Sequence, residues 1–218
     1  MLTGSSLLWL SGFAAAVPAH GGSRHTYAAT PKRSTDIAWS GITKDVENPK
    51  TVEARWTVPH CSRHKTDPDN RPEGIAAWIG IDEALLQAGT TCQGYTGKEE
   101  YFARIEFIPY PPDYLKLDVK PGDDIFARLT ATSNFTGTVY IGNRTTGKNV
   151  TATAKGKMGI ELCFKTVEWI AEEPGGTSGV WMENIKMTEC NAVDAKGGKT
   201  NLAGGEIIDR VTEDGKMQ

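Results

Sequence analysis

Between residues 51 and 59 apolar and polar side chains alternate: Val52, Ala54, Trp56 and Val58 against Glu53, Arg55 and Thr57. A period of two is the pattern of a strand with one buried face. Residues 115–119 alternate in the same way and stop at the turn Pro121-Gly122-Asp123, after which Ile125, Ala127, Leu129 and Ala131 line another strand. Residues 139–141 and 150–153 flank Thr145-Thr146-Gly147-Lys148-Asn149, a hairpin pattern. Residues 180–187 and 206–211 read as late strands. No long stretch carries the 3.6-residue repeat of an amphipathic helix. With 24 Gly and 11 Pro in 218 residues, many short strands separated by turns predict an all-β domain, an antiparallel sandwich or barrel.

Strand parity also sorts the unusual side chains. Trp78, Gly80 and Asp82 share one face of their segment, Phe102, Arg104, Glu106 and Ile108 one face of theirs, and Glu168, Ile170 and Glu172 one face of a third. The opposite faces are aliphatic and suit a core. A sheet face that mixes acids with aromatics suits an extended ligand.

Composition narrows the classes. A net charge of −3 with no basic stripe argues against nucleic acid, and no stretch after residue 20 is apolar enough to span a membrane. Residues 1–19 resemble a signal peptide: residues 7–17 are apolar and Val17-Pro18-Ala19 offers small residues for cleavage, although no Lys or Arg precedes them. An N-terminal core strand is the alternative. Lys32-Arg33 marks 20–33 as a candidate pro-segment or a solvated linker, which leaves a single domain at 34–218. Sequons at Asn134, Asn143 and Asn149 point to glycosylation. Cys61, Cys92, Cys163 and Cys190 suit two disulfides in an oxidising compartment, with three connectivities open. The expected mature chain is a secreted monomer.

The candidate chemistry centres on Glu168 and Gln87. Glu168 lies among Val167, Trp169 and Ile170, where desolvation disfavours its ionised form, and enzymes use carboxylates tuned in this way for acid–base work. Gln87 is an amide inside Leu85-Leu86-Gln87-Ala88; without a catalytic role it is a satisfied core amide. Glu106 with Glu168 could form a glycosidase pair, whereas Glu106 beside Arg104 could simply be an ion pair. Core packing is the plain alternative for Trp78. The sequence holds no G-x-S-x-G elbow, no Asp-Thr-Gly or Asp-Ser-Gly loop and no H-E-x-x-H. His60-Cys61-x-x-His64 fits a loop with a disulfide-bonded Cys61 better than a zinc site, and no metal or cofactor is expected.

Four blocks carry a resemblance: Trp78-Ile79-Gly80-Ile81-Asp82, Leu86-Gln87-Ala88-Gly89, Glu106-Phe107-Ile108-Pro109 and Val167-Glu168-Trp169-Ile170-Ala171-Glu172. In order and approximate spacing they resemble the glutamic peptidase (eqolisin) family. The resemblance implies a secreted acid endopeptidase on a lectin-like (concanavalin-like) sandwich of two antiparallel sheets, acting on protein or peptide. It places the catalytic pair on Glu168 and Gln87, and substrate-binding or supporting roles on Trp78, Asp82, Glu106 and Ile108. Ile108 replaces a family Tyr, and the family's G-I-D-G reads Gly80-Ile81-Asp82-Glu83 before a shortened loop. The rival is a lectin-like module that holds a glycan or peptide without cleaving it; the intact pair opposes that reading. A Cys92–Cys163 bridge, leaving Cys61 with Cys190, is expected because it would tie together the strands of Gln87 and Glu168.

Overall fold

The computed structural model describes residues 31–61, 73–95, 98–173 and 185–211. The candidate signal segment and most of the candidate pro-segment lie outside these. Among the described residues there are strands and no helix: β1 (Arg33–Asp36), β2 (Trp39–Asp45), β3 (Pro49–Thr57), β4 (Glu73–Ile81), β5 (Leu86–Tyr95), β6 (Lys98–Phe107), β7 (Asp113–Leu115), β8 (Asp124–Ser133), β9 (Thr136–Asn143), β10 (Lys148–Lys155), β11 (Thr166–Glu172), β12 (Met187–Asp194), β13 (Lys199–Asn201) and β14 (Glu206–Arg210). They form an eight-stranded sheet, ordered β1-β14-β2-β11-β4-β5-β6-β7, and a six-stranded sheet, ordered β10-β9-β8-β3-β12-β13. All pairs are antiparallel except β1 with β14. The fold is a β-sandwich.

Alternation explains the core. Val52, Ala54 and Trp56 of β3 face Ile125, Ala127 and Leu129 of β8, and this sheet closes on Ile79, Ile81, Ala88, Ile105, Val167 and Trp169 of the larger one. Two indoles cross the interior with their polar ends satisfied: Trp56 Nε1 donates to Thr90 Oγ1 at 2.9 Å and Trp169 Nε1 to the Glu53 carbonyl at 3.0 Å. Parity sends the acid- and aromatic-bearing side chains of β4, β5, β6 and β11 to the outer face of the large sheet. There Ala76, Trp78, Ala84, Ile170 and Ile208 form a second, smaller apolar cluster.

Several expectations are corrected. Residues 115–119 bury Leu117 and Val119 as their alternation requires, but β7 ends at Leu115 and the rest joins no ladder. The late strand begins at Met187, and 180–184 lie outside the described residues. The sandwich starts before residue 34: the Lys32 carbonyl accepts from Ile207 N, and Arg33 pairs with Ile207 and makes a two-pronged ion pair with Asp209.

Cysteine pairing differs too. Cys61 bonds Cys92, with Cα atoms 6.1 Å apart, while Cys163 and Cys190 are free thiols. Cys92 lies opposite Ile75 near the start of β4, whereas the Cys163 segment packs against Asp82 beyond its end. Seven residues of strand, roughly 23 Å, separate those two points, too far for a bridge. Of the sequons, Asn134 and Asn149 are exposed. Asn143 is 1% exposed and its Nδ2 already donates to the Asp118 carbonyl and Asp123 Oδ2, so a glycan there would have to break both bonds and this packing.

Candidate active site

Register across the large sheet brings the expected pair into one row. Glu168 of β11 pairs with Gly80 of β4, Gly80 with Gln87 of β5, and Gln87 with Glu106 of β6. Glu168 and Gln87 therefore stand two strand spacings apart, roughly 9.5 Å between backbones, on either side of a residue with no side chain. The next row runs Ile170, Trp78, Gly89, Arg104, Tyr114. A Cβ built on Gly80 would meet Glu168 Oε2 at 2.7 Å and Trp78 Cζ3 at 2.8 Å. The glycine thus keeps open the space that these two side chains border.

Glu168 is fully buried. Its Oε1 accepts from the Glu83 N–H at 3.0 Å, and the Thr166 hydroxyl and Ala84 N–H also support the carboxylate. Oε2 has no hydrogen-bond partner among the described residues. Burial lifts its pKa to about 7; the Asp82 charge pushes the same way, against the three hydrogen bonds. One oxygen is held by the protein and the other has no partner among the described residues.

The hydrogen bonds to Glu168 come from the turn between β4 and β5, and that turn is unusual. Asp82, Glu83 and Ala84 have φ of 60°, 53° and 68°, three consecutive non-glycine residues in the left-handed region, which costs about 1–2 kcal/mol per residue. Asp82 holds the conformation: its carboxylate accepts from Phe164 N and Lys165 N, each at 2.7 Å. The turn then offers N–H groups to Glu168 and the Ala84 carbonyl, at 3.4 Å, to Gln87 Nε2. Asp82, expected in a supporting role, acts as the clamp of this turn.

Gln87 is 5% exposed. Its Oε1 accepts from Arg104 at 2.8 Å, and the same guanidinium pairs with Glu106 and lies 3.8 Å from Glu172. Trp78 Nε1 donates to Glu172 Oε2 at 2.7 Å. Glu106 is thus the ion pair that its same-face spacing to Arg104 allowed. Burial raises its pKa, the guanidinium charge and hydrogen bond oppose that rise, and the charge of Glu172 adds to it. Trp78 is fully buried and meets Trp39 edge-to-face, centroids 5.2 Å apart, so it walls the site from the next row of the same face. Ile108 lies past the end of β6, 37% exposed, its N–H bonded to the Leu85 carbonyl and its bond to Pro109 cis.

The residue weighed too lightly from the sequence is Arg104. Parity placed it beside Glu106, but its contact with Gln87 depends on how β5 and β6 are registered. Glu172 lay on the correct face without a role. The backbone of residues 83–84 gave no signal, since neither residue type announces a left-handed turn.

The protein is a β-sandwich hydrolase of the glutamic endopeptidase class. The chain belongs to the Peptidase A4 family, which matches residues 38–218. It is 31% identical over 201 residues to aspergillopepsin-2 of Aspergillus niger, spanning 82% of this chain and 71% of that protein. It is 28% identical over 138 residues to scytalidopepsin B of Scytalidium lignicola, spanning 62% and 51% of the two chains. Among solved structures, scytalido-glutamic peptidase with a transition state analog inhibitor superposes with a TM-score of 0.67 at 24% identity, over 82% of this chain and 90% of that one.

Proposed function

We propose that this chain hydrolyses peptide bonds with Glu168 as general base and Gln87 as oxyanion donor. The observation that carries the reading is the row Glu168–Gly80–Gln87, with an unpartnered buried oxygen of Glu168 facing the side-chain-free position. Ionised Glu168 Oε2 takes a proton from a water bound over Gly80 as the water oxygen attacks the scissile carbonyl carbon. Gln87 Nε2–H stabilises the negative charge that develops on the carbonyl oxygen. The tetrahedral intermediate then collapses: the proton passes from Glu168 to the departing amine and the C–N bond breaks. The substrate is a protein or peptide chain lying along the outer face of the large sheet. Secretion is part of the proposal, supported by the Cys61–Cys92 disulfide and the apolar segment at residues 7–17.

The carboxyl's pKa changes the expected pH dependence. An acid optimum follows from a base of near-ordinary pKa, but with Glu168 at about 7 the ionised form falls tenfold for each pH unit below that value. The kcat/KM profile of the free enzyme should therefore rise with unit slope through the mildly acid range and level off near pH 7. Steady-state cleavage of a peptide between pH 3 and 8 tests this, run beside Glu168→Gln and Gln87→Ala. Glu168→Gln should fall to background and Gln87→Ala should lose about 10²–10³ in kcat. A near-parent rate in Glu168→Gln sinks the mechanism. A profile that peaks below pH 4 while Glu168→Gln is dead would put the working pKa of Glu168 well below 7 or make its protonated form the active one.

A further inference from the structure

We propose that Arg104 is a positioning residue for catalysis: it fixes which end of the Gln87 amide faces the scissile carbonyl. The inference rests on the mechanism above and adds to it a residue outside the Glu–Gln pair. An amide can sit in either of two orientations related by a half-turn, and only one of them presents an N–H to an oxyanion. The other presents a carbonyl oxygen, which repels it.

Two independent contacts select the productive orientation. The guanidinium has donors only, and its Nη2 meets Gln87 Oε1 at 2.8 Å in a buried contact. On the other side the Ala84 carbonyl, an acceptor only, lies 3.4 Å from Gln87 Nε2. A flipped amide would set NH2 against guanidinium and oxygen against carbonyl. The Ala84 contact is long and weak, so most of the preference comes from Arg104. It leaves the Nε2 group with a hydrogen to donate.

The site is built to keep this cation buried. Arg104 is 5% exposed, paired with Glu106 through Nη1 and flanked by Glu172, itself held by Trp78 Nε1. Gly89 stands opposite both Trp78 and Arg104 in the register. A guanidinium offers donors only and a primary amide keeps its carbonyl acceptor, so the orientation persists when Glu106 takes up a proton. The charge also draws electron density toward Oε1, which makes the remaining N–H a stronger donor.

The test is a double-mutant cycle on a peptide substrate with parent, Arg104→Met, Gln87→Ala and the double variant, each checked by thermal melting. Arg104→Met should lower kcat by about tenfold to a hundredfold, part of the 10²–10³ at stake in the donor, with KM little changed. The double variant should be no slower than Gln87→Ala alone, because Arg104 acts only through that amide. If removing the cation unfolds the site, Arg104→Met/Glu106→Gln removes the pair as a unit and carries the same expectation. A parent-like kcat in a folded Arg104 variant overturns the role, as does a loss that multiplies fully with that of Gln87→Ala. A near-parent rate in Gln87→Ala would instead overturn the mechanism itself, and the role with it.

Discussion

Gly80 and Gly89 follow one another on the outer face of β4 and β5, and the reasons for having no side chain differ. At Gly89 an added Cβ would strike backbone, the Ala77 carbonyl, so glycine there is a condition of sheet packing. At Gly80 the nearest atoms are the working ends of side chains, Glu168 Oε2 and the Trp78 ring. A methyl group there occupies the position proposed for water and displaces the base. Gly80→Ala is expected to lower kcat/KM by about a hundredfold or more, the effect of roughly 1 Å of misplacement at a reacting centre, in a protein that still folds. Gly89→Ala is expected to lower Tm sharply. Parallel kinetic and melting measurements check both, and a near-parent kcat/KM in Gly80→Ala would move the attacking water elsewhere.

At the scale of elements, the turn between β4 and β5 matters most. Its three left-handed residues aim two N–H groups at one carboxylate and a carbonyl at the neighbouring amide, a convergence that an extended strand cannot supply. Glu83 is exposed and contributes its backbone, so its side chain is dispensable while its φ of 53° is strained. Glu83→Gly should stabilise the fold by about 0.5–1 kcal/mol, the left-handed cost less the extra freedom of glycine in the unfolded chain, or about 1–4 °C in Tm for a domain of this size. Activity should be retained, since the N–H donor remains. An unchanged or lower Tm would show that the turn is not strained at that residue. The Cys61–Cys92 bridge closes a separation of 31 residues and in the chain-entropy view contributes about 3–4 kcal/mol.

For the molecule as a whole, the buried carboxyl proposed as general base also sets how stability changes with pH. Glu168 titrates near 4.5 when unfolded and at about 7 when folded, so the native state binds the proton more tightly. The fold carries no penalty from this group below about pH 4.5. The penalty grows between 4.5 and 7 and reaches about 3 kcal/mol above 7. Glu106, also raised, adds to the same trend. The surface pairs of Arg55 with Asp124, and of Arg55 and Arg144 with Glu189, lower those carboxyls and act in the opposite direction, but they are exposed and screened. Melting temperature should therefore fall from pH 5 to pH 8, and Glu168→Gln should flatten much of that fall and raise Tm at pH 8. If the variant keeps the parent's full slope, Glu168 is not the group responsible. Stability favours acid while the ionised base favours neutrality, so the working range expected from the two is mildly acidic.

Period-two alternation in the chain by itself determined the strands that make the core, and parity put Trp78, Gly80, Glu106, Glu168 and Glu172 on outward faces. Both are local: side-chain direction along a strand needs no knowledge of its neighbours. Glu168 was legible as a desolvated acid because apolar residues flank it. The partners of these groups were decided only by the tertiary structure. Register set Gly80 between Glu168 and Gln87 and brought Arg104 to the amide. The path of the strands placed Cys92 beside Cys61 and far from Cys163, and the packing of residues 118–123 buried the Asn143 amide. Residues 115–119 show the division most plainly: their alternation fixed which side chains are buried, yet whether a strand forms there depended on finding a neighbour to pair with. Hydrogen-bonded pairing joins positions distant in the chain, and nothing in a residue's immediate neighbours encodes which distant strand will lie beside it.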